Sequence, residues 1–207
     1  MIDRALRDIE ALYTGNLSQH GTAPAAVGWR DAASQRLRFE RLARVLDDHP
    51  AGEPATVADW GCGYGALLPF LDGREGAEIA AYDGYDRSAE MLAAARVAGD
   101  DRCRWVHGSE LDRDVDYVFV SGTFNVSLGA PDDVWAEYVR TTLRALHARA
   151  RRGLAFNLMT SWVDWRSDEL YYADPAEWFT FCRGELSRAV SLQHDYPLYE
   201  WTMIVGP

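Results

Sequence analysis

The chain has 207 residues, 48% hydrophobic and 26% charged, which is the composition of one well-buried globular domain. Its 32 acidic and 21 basic residues give a net charge of −11. This balance argues against nucleic acid and anionic membranes as partners, since both require a basic surface, and favours a small-molecule substrate.

Cysteine usage and hydropathy indicate the cellular compartment of the protein. Three widely spaced cysteines without a C-x-x-C pair predict reduced thiols, with no disulfide framework and no metal site. The N-terminal residues lack the apolar core of a signal peptide, and no run approaches the ~18 apolar residues of a membrane helix. We therefore expect a cytoplasmic protein that is a monomer or a homodimer.

The first quarter of the chain is predicted to be helical, with loops between the helices. Periodicity predicts a helix over 3–13, a loop over 14–28, a helix over 29–46 and a linker over 47–55. The second helix either covers one end of a sheet or folds over a ligand. Residues 1–55 are thus expected to form a helical cap or lid, and residues 56–207 the core.

A glycine-rich turn follows the first strand of this core. The run Thr56–Asp59 ends in an acid, and Gly61, Gly63 and Gly65 precede an apolar helix. Strand, tight turn and helix N-terminus in this order bring backbone N–H groups close to a ligand. The spacing fits two motifs: G-x-G-x-x-A of dinucleotide-binding proteins, and D-x-G-x-G-x-G. Because the Asp59 carboxylate would repel a pyrophosphate and attract a cation, the charge favours the D-x-G-x-G-x-G motif over the dinucleotide-binding motif.

Strands and helices then alternate at the spacing of βα units, which predicts a doubly wound parallel sheet. The predicted strands cover residues 56–59, 79–85, 103–107, 115–121, 153–158, 189–194 and 199–205. The last two strands are joined by a link that is too short for a parallel crossover, so they should form an antiparallel hairpin.

The D-x-G-x-G-x-G motif and the terminal hairpin resemble class I S-adenosylmethionine-dependent methyltransferases. The resemblance to a small bacterial branch of this family extends along the chain, through Gly28-Trp29, Gln35, Arg38-Phe39, Ser121 to Asn125, Tyr171 to Pro175 and His194 to Trp201. It implies an α/β Rossmann-like, doubly wound, seven-stranded sheet with an antiparallel last strand. It also implies S-adenosylmethionine as cofactor and S-adenosylhomocysteine as product.

The cofactor residues are predicted at the ends of successive strands. Asp86, followed by Arg87 and Ser88, resembles the acidic second motif that binds the ribose, although Asp83 competes and Asp86 or Ser88 could instead cap a helix. The resemblance implies that Ser109 or Glu110 holds the adenine. It implies that Asp59, the glycine turn and Ser121 hold the methionine part. Arg38 is a further candidate, for the cofactor carboxylate.

Substrate and catalytic residues are less constrained, because in-line methyl transfer depends mainly on positioning. The predicted substrate-contacting residues are Tyr13, Trp29, Phe124, Asn125, Trp162 and Tyr171. His20, His194 and Asp164 are the candidate bases for an acceptor hydroxyl, whereas an amine could react without one.

Two alternatives remain open from the sequence. A nicotinamide-dependent oxidoreductase fits G-x-G-x-x-A, but Asp59, the terminal hairpin and the lack of any lysine oppose it. The other alternative is a non-catalytic S-adenosylmethionine-binding protein. The predicted reaction itself moves a methyl group to an O or N atom of a small metabolite.

Overall fold

The computed structural model describes residues 1–207 and consists of one mixed sheet with flanking helices. The α-helices are α1 (Ile2–His20), α2 (Ala32–Leu42), α3 (Leu67–Asp72), α4 (Ala89–Ala98), α5 (Asp132–His147) and α6 (Pro175–Phe181). The strands are β1 (Pro54–Trp60), β2 (Glu78–Asp86), β3 (Cys103–His107), β4 (Val115–Val120), β5 (Ala150–Thr160), β6 (Tyr172–Ala173), β7 (Val190–Gln193) and β8 (Glu200–Val205).

The sheet has the order β3-β2-β1-β4-β5-β8-β7. Strands β1 to β5 are parallel, and β8 runs antiparallel between β5 and β7. The predicted doubly wound sheet with an antiparallel last strand is therefore confirmed. The two-residue strand β6 pairs with β5 and adds an eighth strand to the predicted seven. The strand order reverses between β1 and β4, which is where open α/β sheets bind ligands.

Two hydrophobic cores lie on opposite faces of the sheet, because successive side chains of a strand point to opposite sides. In β1, Val57 packs with residues of α2 and α3, whereas Ala58 and Trp60 pack with residues of α1 and α5. Both faces are thus covered by helices, as a parallel sheet requires. No helix has the length and apolarity needed to cross a membrane.

The N-terminal segment differs from the prediction. Helix α1 continues to His20, and Pro24–Val27 form a short 3-10 helix, so much of the predicted loop over 14–28 is helical. Glycine, asparagine and serine in this stretch are weak helix formers. Tyr13 and Leu17 nevertheless pack against a small cluster around Tyr64 and Met91. This tertiary packing overrides the local propensity and extends the helix.

Helix α2 begins later than predicted. Asp31 caps it, since the backbone N–H of Ser34 donates to Asp31 Oδ1 at 2.7 Å. Trp29 therefore precedes the helix and lies in the segment that leads into it.

Candidate active site

The turn after β1 brings backbone close to the ligand crevice. Gly61, Gly63 and Gly65 have φ angles of +75°, +55° and +80°, which L side chains rarely adopt. A Cβ at Gly61 would lie 2.4 Å from Thr123 Oγ1. All three glycines therefore adopt backbone angles that strain other residues, and Gly61 also has no room for a side chain.

Asp86, at the end of β2, is held against this turn. Its Oδ2 accepts from the backbone N–H of Gly63 at 2.9 Å, and its Oδ1 accepts from the N–H of Ser88 at 2.8 Å. Ser88 caps α4 by accepting from the N–H of Met91. Burial raises the pKa of Asp86. Each carboxylate oxygen retains acceptor capacity, so the group can also bind hydroxyls of a ligand.

A cavity of about 110 Å³ lies beside this carboxylate, at the carboxyl ends of the strands. Eight predicted cofactor or substrate residues line it, namely Tyr13, Trp29, Gly61, Gly63, Asp86, Arg87, Ser109 and Ser121. Residues from distant parts of the sequence thus meet at one site. The backbone carbonyl of Ser109 accepts from Trp60 Nε1 at 2.8 Å, which ties the loop after β3 to the glycine turn.

A second cavity, of about 40 Å³, shares Val27, Trp29, Gly61 and Ser121 with the first. Asp59 at the end of β1 and Gln35 of α2 also line it. The two cavities therefore adjoin along the glycine turn.

Asp59 is the charged group of the second cavity. Its carboxylate is buried and accepts from the hydroxyl of Tyr82 at 2.5 Å. Burial raises its pKa to about 7, with a further contribution from the negative charge of Asp86. A cation bound beside Asp59 would offset this cost by stabilising the ionised form.

Unused polar atoms indicate that these cavities suit a polar ligand. Ser121 lines both cavities, and its Oγ is buried with no hydrogen-bond partner. Arg87 Nε, at the first cavity, is also buried without a partner. Leaving such groups unpaired is costly, so a ligand that bonds to them gains affinity.

Arg38, predicted to bind the cofactor carboxylate, has an internal partner that occupies Nε and Nη2; its Nη1 has no partner, and Arg38 lines neither cavity. Its Nε donates to both oxygens of Glu200, at 2.9 and 2.8 Å, and its Nη2 donates to Glu200 Oε1 at 2.6 Å. Asn157 Nδ2 donates to the same carboxylate, and Asn157 Oδ1 accepts from the N–H of Gly122 at 2.7 Å. The ring of Trp29 lies 3.8 Å from the Arg38 guanidinium. This network fixes the loop after β4.

The three candidate bases lie outside both cavities. His20 is exposed at the end of α1, and the ring of His194 packs at a tilt against the ring of Trp162. Asp164 is exposed and accepts from the hydroxyl of Tyr199. The structure therefore does not bring these residues together with the glycine turn, and their assignment as bases is not supported by position.

Several other predicted residues also lie away from the cavity walls. Phe124 and Tyr171 are buried in the core, and Asn125 is buried with its Oδ1 accepting from the N–H of Met159. Trp162 is 65% exposed. Gly65 packs on Trp105, and Glu110 is exposed beyond Ser109. Gly65 and Glu110 were assigned from motif resemblance and the other residues from the location of their loops, and neither fixes which contacts a residue makes.

Sequence reasoning missed residues that helices bring to the first cavity. These are Leu6, Ile9 and Glu10 of α1 and Trp135 and Tyr138 of α5, and Trp60 at the end of strand β1 was missed as well. The apolar face of α1 was recognised from its periodicity, but its contact with the cavity depends on long-range packing.

The chain resembles known proteins in sequence and in fold. It is 43% identical over 159 residues to a Mycobacterium tuberculosis protein named "Putative methyltransferase Rv1506c", a match covering 75% of this chain and 95% of the relative. No family model matches the sequence.

Two solved structures share the fold. Magnesium protoporphyrin IX methyltransferase from Synechocystis PCC 6803 with bound S-adenosylmethionine has a TM-score of 0.60 at 17% identity, over 84% of this chain and 79% of that one. A complex of DhpI with S-adenosylmethionine and HEP has a TM-score of 0.63 at 16% identity, over 98% and 97% of the two chains. The chain belongs to the class I S-adenosylmethionine-dependent methyltransferases. The oxidoreductase alternative is therefore not retained.

Proposed function

We propose that the two adjoining cavities bind S-adenosylmethionine and that the enzyme transfers its methyl group to an O or N atom of a small-molecule metabolite. One observation carries the proposal: a glycine turn lies between two adjoining cavities, with the carboxylate of Asp86 at one of them and that of Asp59 at the other. The turn allows a ligand to approach the backbone closely. The Asp59 carboxylate favours a positively charged ligand, and the Asp86 carboxylate can accept hydrogen bonds from ligand hydroxyl groups.

The charge of the site supports this donor. The residues lining the two cavities carry the carboxylates of Glu10, Asp59 and Asp86 and the guanidinium of Arg87. This excess of negative charge suits a ligand with an ammonium and a sulfonium and disfavours a pyrophosphate. When bound, the donor supplies an electrophilic methyl group on its sulfur.

The roles follow from the position of each residue. Asp86 would accept hydrogen bonds from the ribose hydroxyls, and Ser109, which lines the first cavity, would contact the adenine. Asp59, Ser121 and the backbone of Gly61 would hold the methionine part, in the cavity that α2 borders. The residues thus orient the donor, and the surrounding aromatic side chains exclude water from it.

The acceptor site is expected beside the first cavity, near Trp29 and Thr123. A net charge of −11 disfavours a nucleic-acid acceptor and leaves a small molecule as the expected substrate. Tyr13 also lines the cavity, but burial raises its pKa to about 12. It therefore stays protonated at neutral pH and serves as a hydrogen-bond donor rather than as a base.

Asp86→Ala tests the proposed function. Titration calorimetry of the wild-type protein should show binding of S-adenosylmethionine and S-adenosylhomocysteine and no binding of NAD. The variant should bind both adenosyl ligands at least about tenfold more weakly, because charge-assisted hydrogen bonds to the ribose are lost. Asp101→Ala, an exposed turn residue, is the control for removing one negative charge. Binding of NAD, or equal affinity of all three proteins for the adenosyl ligands, would contradict the proposal.

The affinity for the donor should also depend on pH through Asp59. Because its pKa in the folded protein is about 7, the carboxyl group is protonated below that pH and ionised above it. The cationic methionine end binds the ionised form. The dissociation constant for S-adenosylhomocysteine should therefore rise about tenfold as the pH falls from 8 to 6. Asp59→Asn should bind weakly at both pH values and with a smaller pH dependence. An unchanged dependence in this variant would assign the effect to another group.

A further inference from the structure

The first helix forms one wall of the larger cavity. Leu6, Ile9, Glu10 and Tyr13 line it, and Ile9 is buried in the hydrophobic core below. The helix is attached to the loop that carries Asp86, since Thr14 Oγ1 and Ser88 Oγ lie 2.9 Å apart. A ligand in this cavity is therefore covered by α1.

Glu10 has no partner at hydrogen-bond distance on this wall. It is the single carboxylate besides Asp86 that lines the larger cavity. Its Oε2 lies 3.9 Å from Arg87 Nε, which is too long for a hydrogen bond, and that nitrogen is itself buried without a partner. Both groups thus keep hydrogen-bonding capacity at the cavity.

Asp8 provides a direct contrast on the same helix. It lies two residues before Glu10, does not line the cavity, and forms an exposed i,i+4 ion pair with Arg4 at 3.7 Å. Both acids therefore have an arginine at ion-pair distance and neither forms a hydrogen bond, so what sets Glu10 apart is its position at the cavity.

We propose that Glu10 is a donor-binding residue: its carboxylate accepts a hydrogen bond from the adenosyl part of the bound donor. This inference rests on the proposed function. The adenosyl group carries ribose hydroxyls and an exocyclic amine, which are the donors that a carboxylate binds. Because Glu10 belongs to α1, the same contact links the donor to the helix that covers it.

Affinity measurements on two matched variants test the inference. Glu10→Ala should weaken binding of S-adenosylhomocysteine about tenfold, the cost of losing a hydrogen bond to a charged group. Asp8→Ala, which removes the same charge from the same helix, should change it by less than about twofold. Because S-adenosylmethionine shares the adenosyl group, the loss for that ligand should be of the same size.

Proteolysis gives a readout independent of affinity. Arg4 and Arg7 are trypsin sites within α1. Saturating S-adenosylhomocysteine should slow cleavage at these sites in the wild type and in Asp8→Ala, and should slow it less in Glu10→Ala. Equal affinity and equal protection in the two variants would overturn the role of Glu10 while leaving the proposed function intact. Failure of the wild type to bind either adenosyl ligand would overturn both.

Discussion

Glu200→Gln should destabilise the protein by about 3–5 kcal/mol, the cost of removing one partner from a buried ion pair. Arg38 and Glu200 are 8% and 4% exposed, and three hydrogen bonds of 2.6 to 2.9 Å join them. The neutral amide leaves the Arg38 guanidinium charged and incompletely paired in the interior. Water cannot reach the guanidinium to hydrate its charge, so the unpaired charge destabilises the folded state.

Urea denaturation with equal m values for wild type and variant would measure this loss. Asp195→Asn is the matched control, because Asp195 pairs with Arg41 of the same helix but has a side chain that is 70% exposed. That change should cost about 1 kcal/mol or less. If the two variants lost equal stability, the buried pair would not have the energetic importance that its geometry indicates.

Gly61→Ala should have the second-largest effect, on both stability and donor binding. An alanine at φ +75° costs about 1–2 kcal/mol, and its Cβ would lie 2.4 Å from Thr123 Oγ1 and 2.5 Å from Thr123 Cγ2. Relieving that overlap costs about 1–3 kcal/mol more. Since Gly61 lines both cavities, the displaced turn should also weaken binding of S-adenosylhomocysteine by more than about tenfold.

Two further variants separate strain from overlap. Gly52→Ala has nearly the same backbone angle, +78°, with no heavy atom within 4 Å of the added Cβ. It should therefore show the strain alone and retain normal affinity for the ligand. Thr123→Ala in the Gly61→Ala background removes the two closest atoms and should restore part of the stability. No recovery in the double variant would show that the overlap with Thr123 is not the cause.

The parts of the site that could be predicted from sequence are those coded locally. A strand, three glycines and a helix follow one another between Thr56 and Leu71. The alternation of strands and helices then predicts a second strand, and Asp86 follows directly after it. Parallel strands bring such ends to one edge without further information. For this reason the doubly wound sheet agrees with expectation, and Asp86 lies beside the glycine turn.

The remainder depends on contacts between distant residues. Arg38 looked available for a ligand because its partner, Glu200, is 162 positions away in sequence. Glu10 is one of several acids on an amphipathic helix, and periodicity alone does not show which of them faces a cavity. The length of α1 likewise depends on packing against Tyr64 and Met91, which local propensity does not contain.

The insertion of β8 between β5 and β7 has a consequence for biosynthesis. Glu200, which begins this strand, is the last residue of the network that runs through Arg38 and Asn157 to the backbone of Gly122. During translation, Arg38 and the glycine turn leave the ribosome long before their final partner does. The loop after β4 can be fixed only when that strand has paired with β5. The nascent enzyme should therefore acquire affinity for its donor in one step, after β8 has been synthesised, rather than gradually.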